Sequence, residues 1–363
     1  MITKLGSVIT EYAVRNKHDE DIPVYSVTNE QGFCTGYFSK DVASKDRTTY
    51  KIVPRGYFAY NPSRINVGSV DWQDCQDRVI VSPLYVVFGV DEKLDQQYLL
   101  HYLKSDITLT YIKALATGSV RDNLKFSVLQ EFPINLRPIE EQRKIASVLN
   151  RIDRVIALRK EELETLDNLV KSRFIELFGT YPSNPMGWEC GTIRDIAADV
   201  RYGSSRPAVD GGKYPYLRMN NITYGGELDL TDTKRIDVPE NELDKCTVRR
   251  GDVLFNRTNS KELVGKTCVY NRDEMMVLAG FVIRVRVTER VLPEFLSAFL
   301  NTDFSKQMLL GMCKTAIGQA NINAQEMQNI GLYLPPLDLQ RQFAQFKEQT
   351  DKSKLCGEME VAA

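Results

Sequence analysis

Landmarks in residues 1–153 recur in the same order, with small slips, between 190 and 351, and this internal duplication limits what the chain can fold into more than any other feature. Val53-Pro54-Arg55-Gly56-Tyr57-Phe58-Ala59-Tyr60-Asn61 aligns with Val248-Arg249-Arg250-Gly251-Asp252-Val253-Leu254-Phe255-Asn256 at an offset of 195. Tyr98-Leu99, Tyr102-Leu103 and Asp106 match Phe295-Leu296, Phe299-Leu300 and Asp303 at an offset of 197, with the spacing of a helix face. Asn123-Leu124 matches Asn321-Ile322, and Pro138, Gln142, Arg143 and Asp153 match Pro336, Gln340, Arg341 and Asp351, all at 198. Both copies enter a helix through proline, whose fixed φ and missing N–H suit the first helical turn. At 363 residues the chain has room for two such domains and a further element.

The front half of each copy reads as short β-rich runs broken by turn residues, such as Val79-Ile80-Val81, Leu84 to Val90, and Phe281 to Val287. After Pro138 the pattern changes. Ile145, Leu149, Ile152, Ile156, Leu163, Leu166, Val170, Phe174 and Leu177 step by three and four with one seven-residue gap, which is a heptad seam. Eight basic and eight acidic residues over 139–178 mark its solvated faces, and Gly179 with Pro182 stops it. A helix of about 40 residues runs ~60 Å, too long and too one-sided to lie on one small domain, so it needs a partner helix. From Pro336 the second copy offers Leu339, Phe343 and Phe346 on one face before polar residues follow, and the partner is expected to be about half as long. The expected architecture is α+β, with pseudo-repeated domains at 1–138 and 180–335, a central long helix at 139–179 and a short C-terminal helix at 336–363. The two helices are expected to form an antiparallel coiled coil, with residues 163–178 expected to lie beyond the paired region and to be open to protease.

Composition excludes several functions. Hydrophobic residues at 43% and charged residues at 26% are those of an ordinary globular protein, not of a disordered or fibrous chain. Seven cysteines are odd in number, scattered and without a C-x-x-C, so neither a disulfide framework nor a zinc site is expected. Only His18 and His101 are available, which removes histidine metal clusters and most histidine-dependent triads. No apolar stretch approaches the ~18 residues of a membrane span, and the chain is expected to be cytoplasmic and unanchored. Lys+Arg at 47 against Asp+Glu at 48 gives a net charge of -1, so any nucleic-acid surface must be local.

Local clusters exist. Between Arg47 and Arg64 stand Arg47, Lys51, Arg55 and Arg64 with Tyr50, Tyr57, Phe58 and Tyr60 and no acid, a composition suited to phosphates. Lys245 to Arg272 carries seven Lys/Arg against Asp252 and Glu262, around a polar loop of Asn256, Arg257, Thr258, Asn259, Ser260 and Lys261. Arg and Asn are the side chains that read base edges. A third cluster holds Thr117, Gly118, Ser119, Arg121, Asn123 and Lys125, matched in the second copy by Lys314, Thr315, Gln319, Asn321 and Asn323. Of these, with Asn61 and with Arg201, Arg206, Lys213, Arg218 and Asn220 at the front of the second copy, the candidate DNA contacts are Arg47, Lys51, Arg55, Tyr60, Arg64, Arg121, Asn123, Lys125, Asn256, Arg257, Asn259, Lys261, Lys314, Gln319 and Asn321. A solvated loop is the plainer reading of any one cluster, and recurrence at equivalent positions weighs against it. If the paired helices hold the domains at opposite ends, the molecule can address two half-sites, and at ~3.4 Å per base pair a ~60 Å helix caps their separation near 18 base pairs.

Catalytic fragments are incomplete. Tyr60-Asn61-Pro62-Ser63 partly matches the N-P-P-Y loop of adenine methyltransferases, without the second proline, the aromatic or a preceding Gly-rich cofactor loop. Gly265-Lys266-Thr267 resembles the end of a P-loop, but Ser260 stands where the first glycine belongs.

Pro138-Ile139-Glu140-Glu141-Gln142-Arg143-Lys144-Ile145-Ala146, continuing to Leu149 and Ile152-Asp153, resembles the specificity subunits of type I restriction-modification systems. Its counterpart Pro335-Pro336-Leu337-Asp338-Leu339-Gln340-Arg341-Gln342-Phe343 is similar, as are Tyr214-Pro215-Tyr216-Leu217-Arg218-Met219-Asn220-Asn221-Ile222 and Arg250-Gly251-Asp252-Val253-Leu254. The resemblance covers essentially the whole chain. It implies two target-recognition domains, each reading half of a bipartite site on double-stranded DNA, and helices that set the gap and carry two methyltransferase subunits. It further implies a non-catalytic chain that binds no cofactor, with S-adenosylmethionine used by the methyltransferase partners, and ATP and Mg by restriction/translocase partners. The sequence departs from the family in the length of its second helix, which leaves open a truncated or silent subunit. Two other classes stand beside it, a DNA methyltransferase or nuclease in its own right and a coiled-coil scaffold that never touches DNA.

Overall fold

The repeat in sequence is a repeat in topology. A computed structural model describes residues 2–36, 47–116, 123–260, 263–316 and 319–362. The chain divides into two units, Met1–Ala157 and Leu158–Ala363, and the long helix Ile139–Phe178 runs through the boundary between them.

In the first unit an antiparallel sheet has the order Ile9–Glu11, Val86–Val90, Phe58–Tyr60, Val70–Trp72. In the second the order is Ala197–Tyr202, Val282–Val287, Val253–Asn256, Thr267–Val269, again first, last, second, third along the chain. Each sheet is followed by two helices, Gln96–Lys104 and Asp106–Ala116 in one unit and Pro293–Asn301 and Asp303–Met312 in the other. The offset-197 matches therefore fall on equivalent helix faces. Leu99 and Leu103 are buried one turn apart, as are Phe295 and Phe299. The helices start where short polar side chains cap free N–H groups: Asp95 accepts from the Tyr98 amide at 3.0 Å and Thr302 from the Ser305 amide at 3.3 Å. Leu84 and Phe281, expected in strands from their apolar character, lie just outside the strands and are exposed.

After a short helical turn, a strand in each unit returns to pair antiparallel with the unit's first strand. Pro133–Asn135 pairs with Ile2–Lys4, and Gly331–Leu334 with Glu189–Thr192. A helix then leaves each unit, Ile139–Phe178 from the first and Leu337–Ala362 from the second. The second is 26 residues long against 40, longer than the half-length expected from its fading apolar face.

Within the second unit the two helices pair antiparallel. Phe174 meets Phe343 edge-on with ring centroids 5.3 Å apart, Arg173 stands 5.9 Å over the Phe346 ring, and Lys354 pairs with Asp167. Residue numbers rise on one helix as they fall on the other, which is the register of an antiparallel pair. Phe174, Phe178 and Phe343 are buried in one cluster with Phe295, Phe299 and Tyr333, and Val170, Leu177 and Leu339 pack against it. Burying one such side chain contributes about 1.5–3 kcal/mol. Leu163, Leu166 and Phe346 are half-buried. The segment 163–178, expected to be open, is thus the paired one, because an antiparallel partner begins at the far end of the first helix. Ile145, Leu149 and Ile156, nearer the start of the seam, are half-buried, and Ile152 is 49% exposed in place of the core position assigned to it. Gly179 closes the helix at φ +81, with its N–H donating to the Ile175 carbonyl at 2.8 Å.

Candidate nucleic-acid interface

Two loops that the sequence offered as separate candidates lie side by side in the second unit. Thr258–Asn259 pairs antiparallel with Gln319–Asn321, which pairs in turn with Lys314–Ala316. The Ile322 amide donates to the Arg257 carbonyl at 2.9 Å, and the Thr258 hydroxyl to the Asn321 side-chain oxygen at 3.0 Å. The first unit repeats the arrangement: the Leu124 amide donates to the Pro62 carbonyl at 3.1 Å, and the Tyr60 hydroxyl to the Leu124 carbonyl at 3.1 Å. In both units the residues just beyond the second strand of the repeated sheet are therefore tied to the loop that follows the helix pair. That leaves Asn61, Ser63, Arg64, Asn123 and Lys125 together in one unit and Arg257, Thr258 and Asn321 in the other.

Burial sorts the candidates within these loops. Tyr60 is buried, and burial, with the Glu11 carboxylate adding to it, pushes its phenol well above the ordinary tyrosine range. Its ring is core and its hydroxyl is spent on Leu124, so it is a loop anchor and not a contact. Asn256 is likewise fully buried, its amide N–H and carbonyl bonded to the Lys266 carbonyl and the Gly265 amide at 2.8 Å each. Asn61 folds its own loop, its side-chain oxygen accepting from the Ser63 amide at 3.1 Å and the Ser63 hydroxyl at 2.9 Å. Arg64, Asn123 and Lys125 are exposed. Arg121 and Lys261 lie outside the described residues, and of Asn259, Lys314 and Gln319 only the strand positions are described.

Charge pairing sorts the rest. Arg201 donates to Asp199 at 2.8 Å, Arg206 makes a two-pronged bond to Glu242 at 2.9 and 3.2 Å, and Arg218 pairs with Asp232 at 2.9 Å. Lys213 stands 5.1 Å over the Tyr214 ring, with Glu240 3.7 Å away. The guanidinium of each of these arginines is already taken by a carboxylate. Asp199 also holds Arg284, which is only 2% exposed, at 2.6 Å. Burial raises the Asp199 carboxyl, and the bonds from Arg201 and Arg284 outweigh it and hold the group below the usual carboxylate range. In the first unit Lys51 turns inward to the Tyr85 carbonyl at 2.6 Å, and burial lowers its pKa. Arg47 lies 3.9 Å from Asp21, and Arg55 donates to the Gln76 carbonyl at 3.3 Å. Asn220 is exposed on the short turn Met219–Asn221. By contrast, Arg64, Lys125 and Arg257 have no carboxylate within 4 Å among the described residues.

The incomplete catalytic fragments are structural. Lys266, in the partial P-loop, is buried and donates to the Met219 carbonyl at 2.9 Å. Among the described residues no group of three or more His, Cys, Asp or Glu could hold a metal, and no helix is long and apolar enough to cross a membrane.

Sequence reasoning missed Tyr202, whose ring lies under Arg257 with the guanidinium carbon 4.9 Å from its centroid. Nothing in the local pattern distinguishes it from other strand-end tyrosines, because its partner is 55 residues away.

The model of the type I restriction modification DNA specificity domain matches residues 7–168 and again residues 185–356. The specificity subunit of the type I restriction enzyme EcoKI, from Escherichia coli (strain K12), is 24% identical over 268 residues, 69% of this chain and 58% of that protein. The putative MjaX specificity subunit of Methanocaldococcus jannaschii is 27% identical over 171 residues, 46% of this chain and 40% of that protein. These matches span less than two thirds of either relative. The fold is similar to a structure titled for complex assembly and conformational transition of the type I R-M system, at TM-score 0.57 and 19% identity, covering 100% of this chain and 93% of that one. It is equally similar to the type I restriction-modification S subunit from M. genitalium, at TM-score 0.57 and 15% identity, with 100% and 92% covered.

Proposed function

Because the chain belongs to the type I restriction modification DNA specificity family, we propose that it is the sequence-reading subunit of a type I restriction-modification complex. Each unit reads one half of a bipartite site on double-stranded DNA, and the paired helices set the spacing. The observation that carries this reading is the recurrence, in two topologically equal units, of the same loop pair bearing cations with no carboxylate within 4 Å among the described residues: Arg64 and Lys125 in one, Arg257 in the other. Cations without a carboxylate partner on corresponding loops of two units are available to an external polyanion.

The chain itself carries no catalysis in this reading. Methyltransferase subunits dock on the helices and methylate adenine with S-adenosylmethionine, and restriction/translocase subunits use ATP and Mg, all in the cytoplasm. The formed helix pair, sealed by Phe174 and Phe343, supports a working subunit over a silent one.

Titration of the chain with duplex DNA at several salt concentrations tests the reading. A reader contacting several phosphates loses affinity steeply as salt rises. Indifference to DNA at every salt concentration fits the scaffold alternative and contradicts the proposal.

A further inference from the structure

Tyr202 ends the strand Ala197–Tyr202, opposite Ile283. The next residue is Gly203, where a Cβ would stand 2.1 Å from the Leu278 carbonyl oxygen and 2.4 Å from that of Ala279, so backbone packs directly on backbone. The Ser204 amide then donates to the Leu278 carbonyl at 2.6 Å. These contacts fix the root of the Tyr202 side chain. Its far end is fixed as well, because the Tyr202 hydroxyl oxygen accepts the Ala324 amide at 2.8 Å, at the start of the helix Ala324–Gln328 that follows the recognition loop.

Tyr202, held between these anchors, is 42% exposed, and Arg257 lies over its ring. A guanidinium on an aromatic face is attracted by the ring quadrupole while its in-plane N–H groups stay available. The Arg257 backbone is pinned too, its amide donating to the Phe281 carbonyl at 3.0 Å and its own carbonyl accepting from Ile322. Its Nε is buried without a hydrogen-bond partner, and no carboxylate lies within 4 Å among the described residues. Arg201, one residue before the tyrosine, is by contrast spent on Asp199.

We propose that Tyr202 is a positioning residue that holds Arg257 to read a guanine in the half-site addressed by the second unit, an inference that rests on the DNA-reading role above. The two terminal nitrogens of a planar guanidinium held against a ring, with no carboxylate on them, match the paired O6 and N7 acceptors of guanine in the major groove. The lysine-like alternative of a diffuse phosphate contact needs neither the plane nor the ring.

The test is selection from a random duplex library by the chain assembled with its methyltransferase subunits, read by sequencing. The unaltered chain selects a two-part motif, Arg257→Ala loses preference for one guanine in one half by about tenfold or more, and the other half keeps its sequence. Tyr202→Ala reduces preference for that same guanine about fivefold, whereas Tyr202→Phe, which keeps the ring and loses the hydroxyl anchor to Ala324, gives a smaller loss of about twofold. If Tyr202→Ala does not fold, Arg257→Lys keeps the charge without the fork and is expected to lose the guanine as Arg257→Ala does. Unchanged guanine preference in Tyr202→Ala or Arg257→Lys, or a loss in Tyr202→Phe as large as in Tyr202→Ala, overturns the proposal while leaving bipartite recognition standing. Failure of the unaltered chain to select any motif refutes the DNA reading itself.

Discussion

Gln142 and Gln340, 198 residues apart, are both fully buried and make the same three hydrogen bonds. The Gln142 side-chain oxygen accepts from the Asp95 amide at 3.0 Å, and its NH2 donates to the Lys93 and Arg137 carbonyls at 2.7 Å each. The Gln340 oxygen accepts from the Leu292 amide at 2.8 Å, and its NH2 donates to the Pro335 and Arg290 carbonyls at 2.8 and 3.4 Å. Each glutamine thus ties the first turn of a long helix to the loop that starts the preceding helix pair, and sets the angle at which the helix leaves its domain. Replacing either with alanine strands buried backbone groups and is expected to cost about 3 kcal/mol. Urea unfolding of Gln142→Ala and Gln340→Ala checks it, and a loss under about 0.5 kcal/mol in both contradicts the anchoring role.

The helix pair predicts a protease map opposite to the one the fading apolar face suggested. Lys171 and Arg173 lie in the stretch paired with the C-terminal helix, whereas Arg151 and Arg154 are exposed beside a half-exposed Ile152. Tryptic cleavage of the intact chain is expected after Arg151 or Arg154 before Lys171 or Arg173. Phe343→Ala, which empties the ring cluster at a cost of about 3–5 kcal/mol, is expected to erase that order. Earliest cleavage at Lys171 in the unaltered chain goes against the pairing.

These outcomes show what was legible in the sequence. The duplication, the long helix and its stop at Gly179 could be read because each is a repeated or periodic pattern in local sequence. The register of the helix pair could not, because it depends on which aromatic of one helix fills the space beside Phe174, a tertiary fact. The loops around Asn61 and Arg257 stood out by composition. Which of their side chains face inward, as Tyr60 and Asn256 do, is settled by partners such as Leu124 and Lys266 that no spacing rule connects. Arg201, Arg206 and Arg218 looked equal to Arg257 in sequence, and only their carboxylate partners tell them apart.

Lys306 carries a pH signature. Its Nζ donates to the Gly265 carbonyl at 2.8 Å and lies 5.4 Å over the Tyr224 ring. Burial, with the Lys266 and Lys171 charges, pulls its pKa down to about 8. In the unfolded chain a lysine titrates near 10.4, so between about 8 and 10.4 the unfolded state binds more protons and stability rises with pH. Below that window both states are protonated and the cost of burying the charge remains. Lys306→Met is expected to raise Tm at about pH 7.5 and to flatten the rise toward about pH 9.5. Thermal melts of parent and variant that run parallel across that interval contradict this.

The unpaired and paired arginines are expected to behave differently on DNA. Arg64→Ala and Arg257→Ala should each weaken binding by the assembled complex roughly tenfold at moderate salt, and Arg64→Ala, as the loss of a phosphate contact, should also lower the salt slope by about 1. Arg206→Ala removes a half-exposed ion pair with Glu242 and should stay within about twofold. Anisotropy titrations at two salt concentrations rank the three, and equal effects remove internal pairing as a guide to the contacts.

The most direct test of two-unit recognition is to co-express the chain with an adenine methyltransferase subunit of its own system and map methyladenine across the host DNA by single-molecule sequencing. One two-part motif is expected, with a fixed gap and an end-to-end length near or below about 18 base pairs, set by a helix of ~60 Å. An undivided motif, or no methylation when the same methyltransferase is active with another specificity subunit, contradicts it.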